Sequence, residues 1–513
     1  MSKSRIENRQ GPVSSVQSEF NKALVLHQLG QLAEAERAYR AILKSYHRHF
    51  DAAHLLGLIL LQSGQAEAAE RQLGRALSFV PKETNNPNVA EAYNNRGLAL
   101  MKLRRVEEAL ASFDRGIVVK PDHIDVLANR GAALQELGRA DEALATLDAV
   151  IAMQPRLAAV HNNRGKALSD LRRFEEALAT FDRAIALQPD YPEAFQNRGL
   201  TQLLLGEFAQ GWEGSEHRWR TPDFQNSGQL ALWVKRGDLQ NKRVLVVAEQ
   251  GVGDEIMFAS VIPDLVRDAK SVTLECDPRL SGLFARSFPG VGIIDRKLPA
   301  VWKASDFDLL LPAGSLGRLY RNAREDFPVR KSYLIPNPEI TAKWKARLSN
   351  LGGDLKIGIS WKGGTEKTRR QARSIPLELW QPLFAIKGVS FISLQYGTVK
   401  DEIAAANRLL SRPITCFEPR EIDDFDQLAG LVSSLDLIIT VQTTLVHLSG
   451  AIGQACRVLV PSTPEWRYGL KDNHMAWYSS VRLYRQAKPA EWGETIDRVA
   501  ADLKSLSEGS DAR

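Results

Sequence analysis

The 513-residue chain carries 67 lysines and arginines against 61 aspartates and glutamates, a net charge of +6, with 44% hydrophobic and 25% charged residues. These proportions suit a soluble globular protein of two to four domains and exclude a collagenous or wholly disordered chain. The charge is too mild for a nucleic-acid-binding face, so no nucleic acid is expected as a partner.

The apolar runs at 55–61 and 309–312 are too short for a bilayer, so no membrane span is expected. Residues 1–15 are polar and of mixed charge, without the apolar core of a secretory leader, and are expected to be disordered. Cys276, Cys416 and Cys456 are odd in number and widely spaced, which fits reduced thiols and offers no metal-ligand spacing. The expected location is cytoplasmic.

From 16 to 225 the chain repeats. Asn-Arg-Gly occurs at 95–97, 129–131, 163–165 and 197–199, each copy 34 residues after the last. That period is one helix–turn–helix unit of a tetratricopeptide solenoid, which presents a curved surface to a partner. Units are expected near 16–49, 50–83, 90–123, 124–157, 158–191 and 192–225, about six in all, with an insertion at 82–89. The small residues Gly57, Gly97, Gly131, Gly165 and Gly199 mark close helix approach. Pro121, Pro155 and Pro189 end second helices, because proline lacks an N–H and disfavours helix in the residue before it.

Two positions before each glycine lie Asn21, Leu55, Asn95, Asn129, Asn163 and Asn197. An amide both donates and accepts, so a column of asparagines on one helix face could grip an extended peptide backbone. The same residues could equally be surface polar positions inherited by duplication. The arginine of the tripeptide has no evident role at this level.

After a linker at 226–240 the pattern changes to alternating strands and helices, the signature of parallel doubly wound sheets. In the first half, 241–350, strands are expected at 242–248, 271–276, 292–295 and 307–311, with a helix at 256–266. The turn 249–255 (EQGVGDE) is not a good dinucleotide fingerprint, since Ile256 fills the third glycine position, although Glu275 and Asp277 fall where a ribose-binding acid would sit. Its small residues would let a substrate reach the backbone. Asp254 at the helix start is a candidate general base on a hydroxyl, the alternative being a helix N-cap.

The second half, 354–487, opens with a strand at 356–360 and a loop at 360–373 rich in lysine and arginine, a candidate anion site. A helix opens at 374–383, and strands are expected at 389–394, 436–441 and 457–460. Gln442, Thr443, Thr444 and His447 lie at a strand–turn–helix junction, where free N–H groups make an anion site. Residues 488–507 form a closing helix.

These stretches carry a resemblance: 211–220 (GWEGSEHRWR), 249–254 (EQGVGD), 373–377 (RSIPL), 393–395 (SLQ), 440–453 and 477–486 (WYSSVRLYRQ). The chain resembles the bacterial tetratricopeptide-containing glycosyltransferases of the GT-B fold, relatives of the heptosyltransferases of glycosyltransferase family 9. Its asparagine column is similar to that of O-GlcNAc transferase. The resemblance implies an α-solenoid followed by an α/β GT-B glycosyltransferase of two Rossmann-like domains. The implied reaction is sugar transfer from a nucleotide-sugar donor to an acceptor hydroxyl, with no cofactor and no metal. It implies Asp254 as catalytic base. Gly253, Lys362, Arg373, Gln442, Thr443, Thr444 and His447 would bind the donor, and Asn95, Asn129, Asn163 and Asn197 a protein acceptor. By family analogy that acceptor is flagellin or another surface protein.

The family usually has aspartate where this chain has Gln442, which retains an acceptor oxygen and loses the charge. Asp-Phe-Asp at 306–308 and 424–426 resembles a manganese motif of a different glycosyltransferase fold and is read here as surface turns. Two rival readings follow, a non-catalytic repeat adaptor with a degenerate GT-B half, and a transferase acting on a carbohydrate or lipid-linked acceptor.

Overall fold

The computed structural model describes residues 12–510 except 82–85, 222–229, 231–232, 298, 353–354, 365–370 and 409. The insertion at 82–89 and the basic loop therefore lie partly outside the described residues, as do residues 1–11. Residues 12–15 open a helix and are not the end of a disordered segment. The chain divides into two compact units, Met1–Ala194 and Phe195–Arg513.

The first unit is a row of helix pairs: α1 (Pro12–Gln28) and α2 (Leu32–Ser45), α3 (Phe50–Gln62) and α4 (Ala66–Leu77), α5 (Pro87–Lys102) and α6 (Val106–Val119), α7 (Ile124–Glu136) and α8 (Ala140–Met153), α9 (Ala158–Asp170) and α10 (Phe174–Leu187). Helices α6, α8 and α10 each stop two residues before Pro121, Pro155 and Pro189. The repeated glycines are packing positions. A Cβ on Gly57 would lie 2.5 Å from Leu73, on Gly131 2.7 Å from Leu147 and on Gly165 2.5 Å from Phe181, in each case the residue 16 positions later on the partner helix. The turn within each pair needs a left-handed residue, supplied by Gly30, Gly64 and Gly138 and, at φ 62° and 61°, by Arg104 and Arg172.

The arginine of the tripeptide acquires a role here. Arg130 on α7 reaches back to Asp114 on α6 at 2.7 Å and forward to Thr146 on α8 at 2.7 Å. Arg164 on α9 repeats this 34 residues on, with Asp148 at 2.6 Å and Thr180 at 2.9 Å. Each clips one pair to the next.

The boundary between units falls inside α11 (Pro192–Leu205), so the sixth repeat, expected to belong to the solenoid, is not part of the first unit as a whole. In the second unit, α11 packs against α12 (Phe208–Glu216) backbone to backbone, a Cβ on Gly199 falling 2.7 Å from the Gly211 carbonyl oxygen. Trp212 on α12 is 2% exposed and donates its indole N–H to the Arg321 carbonyl at 2.7 Å. It packs edge-on to Trp466, which also contacts Trp477.

Two sheets follow. β1 (Arg243–Val247), β2 (Ser271–Cys276), β3 (Gly292–Asp295) and β4 (Leu309–Pro312) form a parallel sheet in the order β3-β2-β1-β4. β5 (Leu355–Ser360), β6 (Val389–Ser393), β7 (Leu437–Val441), β8 (Cys456–Val460), β9 (His474–Met475) and β10 (Tyr478–Arg485) form a second sheet, ordered β6-β5-β7-β8-β10-β9 and parallel except at β9. Chain order reverses beside β1 in the first sheet and between β5 and β7 in the second. Such switch points leave a crevice at the strands' carboxyl ends.

Several boundaries differ from expectation. The helix expected at 256–266 is two, α13 (Val252–Ala259) and α14 (Ile262–Asp268), because Pro263 cannot continue an upstream helix and instead opens the next. At 374–383 two short helical pieces, Leu377–Trp380 and Gln381–Phe384, replace one helix. Residues 478–485 form a strand, with Tyr478, Val481, Leu483 and Tyr484 buried. The junction helix is α15 (Thr444–Ile452), and the closing helix α16 (Gly493–Ser510) starts later than 488.

Candidate functional site

The turn after β1 is held from beneath. Glu249, 5% exposed, accepts from Arg218 Nε at 3.0 Å and Nη2 at 2.8 Å and from the Gly314 N–H. Arg218, 3% exposed, also donates to Glu216 at 3.0 Å. Burial works against its charge, but the two carboxylates outweigh that and hold its pKa above the ordinary arginine value. The chain then passes Gln250 at φ 63° and enters α13 at Gly251. The N-cap is thus Gly251 and not Asp254, which lies in the first helical turn with its carboxylate 2.6 Å from Arg467 Nη2.

The turn after β7 faces it. Thr443 caps α15, its hydroxyl accepting from the Leu445 N–H at 3.3 Å and contacting Thr440 at 3.1 Å. Gly253 is the contact between halves, since a Cβ there would meet His447 Cδ2 at 3.1 Å and Thr444 Oγ1 at 3.3 Å. His447 is 4% exposed and lies 3.1 Å through Nδ1 from the Tyr478 hydroxyl. Burial first, then Arg467 and Arg373, hold its pKa well below the ordinary value, so the imidazole is neutral near pH 7. Tyr478 OH is the only side-chain group bonded to that ring among the described residues.

Arg373 donates to the Gln442 carbonyl at 2.7 Å and approaches Glu465 at 3.5 Å. Gln442 itself is 1% exposed, and both polar atoms of its side-chain amide lack a hydrogen-bond partner among the described residues. An unsatisfied buried amide is costly, about 1–3 kcal/mol per group, and calls for a ligand or a functional reason. Lys362 departs from expectation. Its ammonium is ion-paired to Glu402, so it is not an uncommitted cation at the crevice. The turn it sits in is organised by Gln395, whose Oε1 accepts from Ser360 Oγ at 3.0 Å and from the Trp361 and Lys362 N–H groups at 2.9 and 2.8 Å.

The asparagine column is not uniform. Asn95 is 3% exposed and bonded through Nδ2 to His54 at 3.0 Å, and Asn129 donates to Asn94 at 2.8 Å. Both therefore join neighbouring repeats, and the buried Asn95 has no face toward a partner chain. Asn163 and Asn197 are half-buried. Asn163 belongs to the first unit and Asn197 to the second.

Other sequence candidates have structural partners. Glu275 accepts from Trp302 Nε1 at 2.7 Å and from the Ala248 N–H at 3.1 Å, and Asp277 caps the turn at Arg279 at 3.0 Å. Asp308 pairs with Arg243 at 3.1 Å, which pulls its pKa down to about 2. Asp424 caps the helix Phe425–Val432, and Asp426 pairs with Arg286. Cys276 and Cys456 are buried. Among the described helices none is long and apolar enough to cross a membrane. Sequence reasoning missed Arg467, Tyr478, Glu465 and the Arg218–Glu249 pair. Tyr478 and the Arg218–Glu249 pair lay within quoted motifs, and Arg467 and Glu465 outside them.

Residues 20–84, 129–192 and 162–210 match a tetratricopeptide repeat model, and residues 90–123 match a second model of that repeat. The chain thus carries tetratricopeptide repeats in its N-terminal part. Protein FlbA of Caulobacter vibrioides is 33% identical over 327 residues, which cover 60% of this chain and 54% of FlbA, so the chain spans about half the length of that curated relative. Solved structures that match include YrrB, a TPR protein with an unusual peptide-binding site (24% identity, 34% of this chain and 88% of that one, TM-score 0.31). The type IV pilus biogenesis factor PilW also matches (18% identity, 42% and 98%, TM-score 0.36), as does MamA of Desulfovibrio magneticus RS-1 (23% identity, 35% and 97%, TM-score 0.29).

Proposed function

We propose that the protein is a metal-independent GT-B glycosyltransferase that moves a sugar from a nucleotide sugar to an acceptor hydroxyl, with the repeats holding a protein acceptor. The observation that carries this reading is the contact of Gly253 with Thr444 and His447, which sets the helical turn that bears Asp254 against the first turn of α15. A carboxylate and a helix N-terminus flanked by arginine are the two functions the reaction needs. Asp254 takes the proton of the acceptor hydroxyl as its oxygen bonds to the anomeric carbon. The bond from that carbon to the diphosphate breaks, and the departing charge is met by the α15 N–H groups and Arg373. The unsatisfied amide of Gln442 is offered to sugar hydroxyls, where the related enzymes use aspartate. Asn163 remains the candidate for acceptor contact from the column, since Asn95 and Asn129 are engaged within the solenoid.

The test is transfer from a panel of nucleotide sugars, wild type against Asp254→Asn. Loss of at least about a hundredfold in kcat is expected for removing a general base. Transfer undiminished in the variant sinks the role of Asp254. If no nucleotide sugar raises the melting temperature or is consumed, the protein is a repeat adaptor with a degenerate second unit.

A further inference from the structure

Two arginines and two carboxylates meet at the crevice. Arg467 donates to Asp254 at 2.6 Å, and Arg373 approaches Glu465 at 3.5 Å, two residues before Arg467. Both guanidinium groups bear on His447, one turn into α15. The set is charge-balanced as it stands, so among the described residues of this cluster an incoming dianion gains only the α15 dipole unless it takes an arginine from its carboxylate.

Arg467 is the arginine that can move its allegiance. Its side chain is 12% exposed, and its Nε is buried with no hydrogen-bond partner among the described residues. A guanidinium carries five donors, and a fork with a vacant edge matches a phosphate. The short helical turn Trp466–Tyr468 that carries it is followed by Gly469 at φ 57°. Beside it, Trp466, Tyr468, Gly469 and Leu204 line a cavity of about 200 Å³ in the same unit. Just before α15, Gln442 offers a second buried group without a hydrogen-bond partner among the described residues.

We infer that Arg467 is a diphosphate-binding residue shared with Asp254: it neutralises Asp254 in the free protein and transfers to the donor diphosphate when that arrives. The inference rests on the nucleotide-sugar reading of the crevice and adds an order to it. With Arg467 on its carboxylate, Asp254 competes for a cation. Once the diphosphate holds Arg467, the Asp254 carboxylate is free to accept the acceptor hydroxyl's proton. Donor therefore binds before acceptor, and a nucleotide-free enzyme holds its base masked.

The shared cation has a signature that a merely structural ion pair lacks. Removing the competing charge must tighten diphosphate binding. Calorimetric titration of the full chain with inorganic pyrophosphate, UDP, ADP and GDP is compared for wild type, Asp254→Asn, Arg467→Gln and the double variant. Asp254→Asn is nearly isosteric and should bind the diphosphate probes about three- to tenfold tighter, the scale of one charge-assisted contact. Arg467→Gln should bind about tenfold weaker, and adding Asp254→Asn to it should change nothing further. If Asp254→Asn leaves affinity unchanged, or tightens it equally with and without Arg467, the sharing is refuted while the nucleotide-sugar reading stands. If wild type binds none of the four probes, both fall.

Discussion

Arg218 and Glu249 form a bidentate ion pair at 3.0 and 2.8 Å in which each side chain is 3% exposed, and Glu216 completes the cluster on the other side of the guanidinium. The pair ties the end of the last repeat helix to the residue that begins the Asp254 turn. Desolvation makes such a cluster a poor source of net stability but a costly one to break. Arg218→Met leaves buried Glu249 without its cation and Glu216 with only Arg318 at 3.8 Å, and should lower the unfolding free energy of the second unit by about 3–5 kcal/mol, measured by urea titration. The triple change Arg218→Met, Glu216→Gln, Glu249→Gln should recover much of that loss. Arg218→Lys should not, since an ammonium cannot bond in the same fork.

A glycine inside a helix ordinarily costs up to about 1 kcal/mol relative to alanine. At Gly165 the balance reverses, because an added Cβ would stand 2.5 Å from the Phe181 ring. Overpacking of a filled interface costs about 1–3 kcal/mol, so Gly165→Ala should destabilise the solenoid by about 1–2 kcal/mol. A urea midpoint unchanged or raised would show that the two helices can part without penalty.

Arg172 occupies the left-handed turn position that Gly30, Gly64 and Gly138 hold elsewhere. Its Cβ strains that conformation, whereas glycine adopts it freely. Arg172→Gly should therefore raise stability by about 0.5–1 kcal/mol despite the added freedom of the unfolded chain, read as an upward shift of the melting temperature.

His54 is buried against Asn95, and burial lowers its pKa from 6.5 to about 4, with Asp51 opposing. The unfolded chain thus binds a proton near pH 6.5 that the folded chain refuses until about pH 4. Stability from this group is complete above pH 6.5 and is lost as pH falls through that window, up to about 3 kcal/mol. His54→Gln should flatten the loss of melting temperature between pH 6.5 and 4. An identical pH profile would mean that His54 is protonated in the native solenoid.

The solenoid was legible because its causes are local and recur. Gly165 and Phe181 are 16 residues apart in one hairpin, and the period exposes them. The Thr443 cap was legible for the same reason, since strand, turn and helix follow one another directly. The ion pair of Lys362 was not legible because Glu402, which takes its ammonium, lies 40 residues away in a helix with no marked pattern. The burial of Asn95 was not legible because its partner, His54, belongs to another repeat and lies off the period. Arg467 was invisible, since 213 residues separate it from Asp254.

By itself, then, the sequence determined what short range controls: the repeat and its packing glycines, the strand order in the chain, and the two polar turns at strand ends. Periodicity and capping act over a few residues, and any chain with this pattern must obey them. Only the tertiary structure decided which charges meet. It assigned Arg467 to Asp254, Arg218 to Glu249 and the interior to Gln442, because a buried charge takes whichever partner the packed sheets bring within about 3 Å, however far off in the chain.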